Sequence, residues 1–79
     1  MKKYAVIHMY KHGDQFEELF DTSEKAILYA EKDWNVYLTK AEKSRTEYYG
    51  IMVGDLDDDG IFDLNAADEI KRIYPSPEV

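Results

Sequence analysis

The stretch KYAVIHMYKHGDQFEELF, residues 3–20, contains the alternation and the turn chemistry that decide the fold. Residues 3–11 alternate small and aliphatic side chains with aromatic and polar ones, and they are rich in β-branched and aromatic types, which predicts a β-strand. Residues 12–14, with glycine at their centre, are typical of a turn. Residues 15–20 then predict a second strand, so the whole stretch indicates a β-hairpin.

A long helix is expected after the hairpin. Residues 21–24 place a hydroxyl cap and an acid at its start, and the helix is predicted to run from about Ser23 to about Ser44. No glycine or proline interrupts this segment. The apolar residues that share one stripe at helical spacing are Ala26, Ile27, Ala30, Trp34, Tyr37, Leu38 and Ala41.

The second half of the chain repeats this pattern. Residues 47–56 predict a third strand, residues 57–60 a turn, and residues 61–64 a short fourth strand. Asn65 is suited to cap a second helix that ends before Pro75. The predicted apolar stripe of that helix is Ala67, Ile70, Ile73 and Tyr74.

The predicted element order is therefore β-β-α-β-β-α. Such a pattern favours a two-layer α+β fold, with a four-stranded, mostly antiparallel sheet and two helices packed on one face. We expect a single domain over residues 1–75 and a disordered tail over residues 76–79.

Acidic residues are concentrated in one part of the chain. Seventeen Asp and Glu against ten Lys and Arg give a net charge of −7, and residues 55–69 alone contain seven of the acids and no base. Phosphates repel a protein of this charge, which argues against direct binding to nucleic acid. Because the sequence has no cysteine, disulfides, cysteine zinc sites and cysteine nucleophiles are excluded.

Residues 55–66 resemble a calcium-binding loop of the EF-hand or dockerin type. Gly60 stands at loop position 6, and carboxylates occupy positions 1, 3, 5 and 9, namely Asp55, Asp57, Asp59 and Asp63. The resemblance implies a Ca²⁺ site. Position 12 is Ala66 instead of a bidentate acid, so any binding would be weak, near ~10⁻³ M. The alternative interpretation is an acidic hairpin turn that binds no metal.

No group of residues predicts catalysis. None of the three serines has a nucleophile-elbow context, and the four glycines form no phosphate loop. Glu17 and Glu18 are neighbours in a predicted strand and therefore point to opposite faces, so they are not expected to share a substrate. His8 and His12 fit no histidine metal motif. We expect a protein that is not an enzyme, with weak calcium binding as its one candidate cofactor interaction.

Two surfaces are candidates for partner contact. If helices cover the face of Ala5, Ile7 and Met9, the other face of the sheet is open and rich in tyrosine, a residue favoured at interfaces. The lysine-rich outer stripe of the long helix also includes two less polar residues. The candidate interface residues are Tyr4, Val6, His8, Tyr10, Tyr48, Tyr29 and Val36. The alternative is that these side chains only shield the sheet or lie singly on the surface.

The sequence thus predicts a small protein–protein interaction domain that self-associates as a homodimer through its tyrosine-rich sheet face. A calcium-binding module is one alternative. An acidic decoy, which occupies the basic groove of a nucleic-acid-binding protein through residues 55–69, is another. No apolar stretch approaches the ~20 residues of a membrane span, and no cleavable signal pattern follows the start, so we expect no membrane association and a cytoplasmic location.

Overall fold

The computed structural model describes residues 2–77. Its elements in chain order are β1 (Lys2–Tyr10), β2 (Gln15–Phe20), α1 (Ser23–Lys32), a π-helical turn (Asp33–Tyr37), α2 (Lys40–Ser44), β3 (Thr46–Asp55), a 3-10 turn (Leu64–Ala66) and β4 (Asp68–Tyr74). The sheet order is β2-β1-β3-β4, and every neighbouring pair is antiparallel. A four-stranded antiparallel open sheet with two helices confirms the predicted α+β class. The predicted tail, 76–79, lies in part outside the described residues.

The β1–β2 hairpin forms as predicted. Gly13 in the turn has a φ of 103°, a left-handed conformation that glycine adopts without steric cost. The register pairs Tyr4 with Phe20 and His8 with Phe16. Because directly opposed residues of an antiparallel pair lie on the same face, these aromatic side chains are neighbours on one side of the sheet.

The prediction of one helix over residues 23–44 is wrong, because the helix breaks in its second half. After the π-helical turn, Leu38 adopts an extended conformation with ψ of 133°. Thr39 then caps α2, since its side chain accepts a hydrogen bond from the Glu42 backbone N–H (3.1 Å) and its own N–H donates to Glu42 Oε1 (2.9 Å). This reciprocal capping box starts a new helix and ends the old one.

The predicted fourth strand and second helix are also wrong. Residues 61–64 form no strand among the described residues beyond one isolated bridge between Leu56 and Phe62. Residues 68–74, predicted as helix, form β4 and pair with β3. The element order therefore differs from the predicted β-β-α-β-β-α, although the number of strands agrees.

Two β-bulges in β4 account for its helical sequence pattern. The register skips Ile70 between the pairs Ile51–Lys71 and Met52–Glu69, and it skips Ile73 between the next two pairs. Each bulge adds one residue to β4 and shifts the alternation by one position. The apolar residues consequently recur at the spacing of a helix while the backbone stays extended.

The two faces of the sheet are covered by different parts of the chain. On one face, Ala26 and Ala30 of α1 pack in a buried cluster with Val6 and Ile51. On the other face, Ala5, Ile7 and Phe62 form a second cluster, to which residues of the 56–67 segment contribute. The condition under which the tyrosine-rich face would be open, with the helices over Ala5, Ile7 and Met9, is therefore not met, because the small alanines of α1 pack against Val6 instead.

Candidate functional site

A cavity of about 340 Å³ lies between α1, the π-helical turn and the β1–β2 side of the sheet. Its size is that of a small-ligand site. Its lining combines aromatic rings with carboxylates: Val6, His8, Tyr10, Phe16, Glu17, Glu18, Tyr29, Asp33 and Tyr49. None of these lining residues is a lysine or an arginine, so the cavity walls themselves carry no fixed positive charge.

His8 forms the floor of the cavity in a defined tautomer. It is 7% exposed, and its Nε2 lies 2.7 Å from the hydroxyl oxygen of Thr46. The Thr46 hydroxyl donates its single hydrogen to the Glu42 backbone carbonyl at 2.9 Å. Because that hydrogen is used, Nε2 must be the donor in its bond to Thr46, and the neutral ring then presents Nδ1 as an acceptor.

Burial favours this neutral form of His8. Desolvation lowers the pKa of the ring below its ordinary value, while the carboxylates of Asp33 and Glu42 oppose the shift. Nδ1 makes no hydrogen bond with any described residue. The cavity therefore has an unused acceptor on a ring that is more than nine-tenths buried.

Asp33 supplies a positioned carboxylate. It begins the π-helical turn, an irregularity that often occurs at functional sites. The hydroxyl of Tyr49, a residue that is 1% exposed, donates to Asp33 Oδ2 at 2.6 Å. Burial, then the hydrogen bond and charge of Asp33, raise the pKa of Tyr49, so it stays protonated and holds the carboxylate in place.

The aromatic rings of the cavity belong to a continuous row across the sheet. Consecutive ring centroids are 5.8, 4.1, 4.9, 5.2 and 5.7 Å apart. In order, the row consists of Phe16, Tyr10, His8, Tyr49, Trp34 and Tyr74. These separations are those of favourable stacked and edge-to-face pairs, so each ring in the row packs against the next.

Negative charge dominates the electrostatics of the cavity. Burial raises the pKa of Tyr29, and the charges of Asp33 and Glu18 raise it further. Burial likewise raises the pKa of Tyr10, with nearby carboxylates adding to the effect and Arg45 opposing it. A group that enters the cavity from the β2 side therefore meets a negative potential and aromatic faces together.

The residues predicted as a partner interface do not form one surface in the structure. Val6 is buried beneath α1 and His8 is buried on the same face, 4% and 7% exposed, and Tyr4 is partly buried there. Tyr48 lies on the opposite face, where its hydroxyl donates to Glu69 at 2.7 Å. The tyrosine-rich face is therefore not open, because α1 packs against it.

The other predicted interface residues are accessible. Tyr10 is partly buried in the cavity wall, and Tyr29 is 41% exposed at the cavity mouth. Val36 is 65% exposed in the π-helical turn. The structure thus brings Tyr10 and Tyr29 together with His8 in one cavity, while Val36 does not line it.

The acidic loop uses its carboxylates for its own turns. Asp57 Oδ1 accepts the backbone N–H groups of Asp59 and Ile61, both at 2.9 Å. Asp63 Oδ1 accepts the N–H of Asn65 at 3.1 Å. Across residues 2–77, no group of three or more acidic or histidine side chains is arranged to hold a metal ion. Asp57 and Asp63 therefore each stabilise their own turn, and weak Ca²⁺ binding by this loop stays a prediction.

The acids of the cavity were not assigned to a site from the sequence. Glu17 and Glu18 were expected to point to opposite faces, and the register does set them opposite Ile7 and Val6, which lie on different faces of the sheet, although both acids are among the residues that line the cavity. Asp33 was not recognised, because it falls within a segment predicted to be regular helix. The Thr39-x-x-Glu42 capping pattern was the available signal, because it marks the helix break that places Asp33 at the cavity.

Comparisons with known proteins gave no relative from which to transfer a function. No protein-family model, no curated protein and no solved structure matches the chain at a significant level. Within residues 2–77, no helix is both long enough and apolar enough to cross a membrane.

Proposed function

We propose that the protein is a small non-enzymatic protein-interaction domain whose contact surface is the β2 edge and the adjoining mouth of the cavity. The observation that carries this proposal is the edge strand β2, in which every residue except Phe20 is exposed and Phe16 is 59% exposed beside the cavity. An open sheet edge can pair with an extended segment of another protein, and a pocket beside that edge can accept one of its side chains.

Self-association through the tyrosine-rich face is disfavoured, because α1 packs against Val6 and His8 is itself buried. Pairing of two β2 strands is also disfavoured. A two-fold pairing centred on Glu17 or Glu18 would set that residue opposite its own copy, and directly opposed like charges destabilise a strand pair. The edge instead favours a different partner that carries positive charge.

Quantitative affinity capture with matched variants tests this proposal. Phe16 and Ile61 are 59% and 60% exposed, but Ile61 lies in the acidic loop and not at the cavity. Proteins captured by the wild type and by Ile61→Ser should be lost with Phe16→Ser. Identical capture by all three proteins would refute the proposed surface.

Light scattering at micromolar concentration separates a heterologous partner from a homodimer. We expect a monomer, because the acids of β2 oppose its pairing with a second copy. A dimer that dissociates in the Phe16→Ser variant would show that the β2 edge mediates self-association and would contradict the preference for a basic partner.

The acidic-decoy alternative is favoured by one specific observation: all seven acidic side chains of residues 55–69 are exposed. Such a surface would bind a basic partner with strong salt dependence. The test reverses Asp58 and Asp59 to lysine and leaves Asp57 intact, because Asp57 caps the turn. A basic partner lost in this double variant but retained by Phe16→Ser supports the decoy, and unchanged binding refutes it.

A further inference from the structure

Three residues that line the cavity carry an oxygen or nitrogen acceptor that forms no hydrogen bond with any described residue. Nδ1 of His8 is one, and Asp33 Oδ1 is the second, since only Oδ2 receives the Tyr49 hydroxyl. The third is the carboxylate of Glu18, which forms no hydrogen bond or ion pair with any described residue. A ligand that fits here must therefore donate several hydrogen bonds and carry positive charge.

The aromatic walls restrict the ligand further. Tyr10, Phe16 and Tyr29 line the same cavity as these acceptors. Cations are attracted to the faces of such rings, and the same aromatic row already holds one, with Lys43 Nζ lying 5.3 Å from the ring centroid of Trp34. A planar cation is favoured over a spherical one, because it can stack on a ring and donate at its edge.

We propose that the cavity binds the guanidinium group of an arginine side chain, carried by the partner segment that pairs with the β2 edge. The source of the arginine depends on the function proposed above, whereas the cavity chemistry does not. The guanidinium group has five donors in a planar fork, which suits the acceptors of His8, Asp33 and Glu18. Its flat face stacks on the tyrosine and phenylalanine rings.

Titration with blocked amino acids, followed by amide and aromatic NMR shifts, tests the ligand class. The probes are the N-acetyl methylamides of arginine, lysine and citrulline, the last being the neutral isostere of arginine. The arginine probe should shift residues around the cavity with a dissociation constant in the millimolar range, as expected for a single side chain. The citrulline probe should bind at least about tenfold more weakly, because it lacks the charge.

Variants of the cavity and a matched control locate the binding. Glu18→Gln should weaken the arginine probe about three- to tenfold, and Asp33→Asn should do the same while its side-chain oxygen still accepts the Tyr49 hydroxyl. Asp58→Asn removes an exposed acid from the opposite loop and should leave the affinity unchanged. Retained dispersion of the amide spectrum shows that each variant is folded.

A pentapeptide with a central arginine between valine and threonine residues tests the source of the guanidinium group. It should bind more tightly than the blocked arginine and should also shift the β2 amides, because it pairs with the edge. A peptide no tighter than the blocked amino acid would overturn the partner-segment source and indicate a free guanidinium compound.

Three results would overturn the cavity assignment itself: no shift by about 10 mM arginine probe, equal binding of lysine or citrulline probes, or shifts centred on residues 55–69. Failure here and failure of the proposed function are distinguishable. If capture depends on Phe16 but no probe binds, only the guanidinium assignment is wrong. If the probe binds but Phe16→Ser captures the same proteins as the wild type, the proposed interaction surface is wrong and the cavity assignment stands.

Discussion

Replacing Thr46 by valine removes the hydroxyl on which the tautomer of His8 depends, with almost no change in side-chain shape. Thr46 is fully buried, and its hydroxyl bonds both His8 Nε2 and the Glu42 carbonyl. The carbonyl keeps a second donor, the Arg45 backbone N–H at 3.2 Å. Only the buried Nε2–H group of His8 is therefore left unpaired. Such a group costs about 1–3 kcal/mol, a large share of the stability of a small domain.

A double-mutant cycle isolates this energy. Urea denaturation followed by circular dichroism, at a pH above 7 where His8 is neutral, gives the free energy of unfolding for each variant. Phenylalanine has no N–H group that the loss of the Thr46 hydroxyl could leave unpaired. In the His8→Phe background, Thr46→Val should therefore cost less than about 0.5 kcal/mol. Equal costs of Thr46→Val in the two backgrounds would refute the assigned hydrogen bond and the tautomer it fixes.

Three further predictions concern the fold and the pH dependence of stability. Gly50→Ala should destabilise the protein by about 1–3 kcal/mol, seen as a lower melting temperature, because the added methyl group would lie 2.8 Å from the Lys71 carbonyl oxygen. Burial depresses the pKa of His8, so as the pH falls below ~6.5 the unfolded state takes up a proton before the folded state does. Below pH ~6.5 the free energy of unfolding of the wild type should fall by up to about 1.4 kcal/mol per pH unit more than that of His8→Gln. The same pH dependence in both proteins, measured by urea denaturation, would contradict this. Thr39→Ala removes a capping side chain and should cost about 1 kcal/mol, with faster amide exchange in α2.

Strand alternation and turn chemistry were sufficient to predict the first hairpin and the α+β class. Residues 3–20 carry both signals without conflict, and Gly13 occupies the one position of that turn that needs a positive φ. Where the local pattern and the tertiary pairing agree, the sequence is a reliable guide to structure.

Strand β4 could not be identified from its pattern, because its bulges imitate a helical period. Ile70 and Ile73 are the skipped residues, so apolar side chains recur three positions apart in an extended chain. Asn65 also favoured the prediction of a helix, because it is a suitable capping residue, yet it lies within a 3-10 turn. Pairing with β3 overrides these local preferences, and it cannot be recognised from the sequence of residues 65–74 alone.

The cavity was predicted only in part, since its residues come from segments that are distant in the sequence. Tyr10, Tyr29 and His8 were named as interface residues, but alternation alone does not say which face a helix covers. The break in the long helix, which sets Asp33 against Tyr49, follows from a capping box that a continuous apolar stripe concealed.

Intermolecular nuclear Overhauser effects between the blocked arginine and the protein test the central claim most directly, namely that the aromatic and acidic cavity is the recognition site. We predict contacts from the side-chain protons of arginine to the ring protons of Tyr10, Phe16 and Tyr29, all of which line the cavity. Contacts confined to Ile61 and Phe62, on the opposite side of the sheet, would contradict the claim.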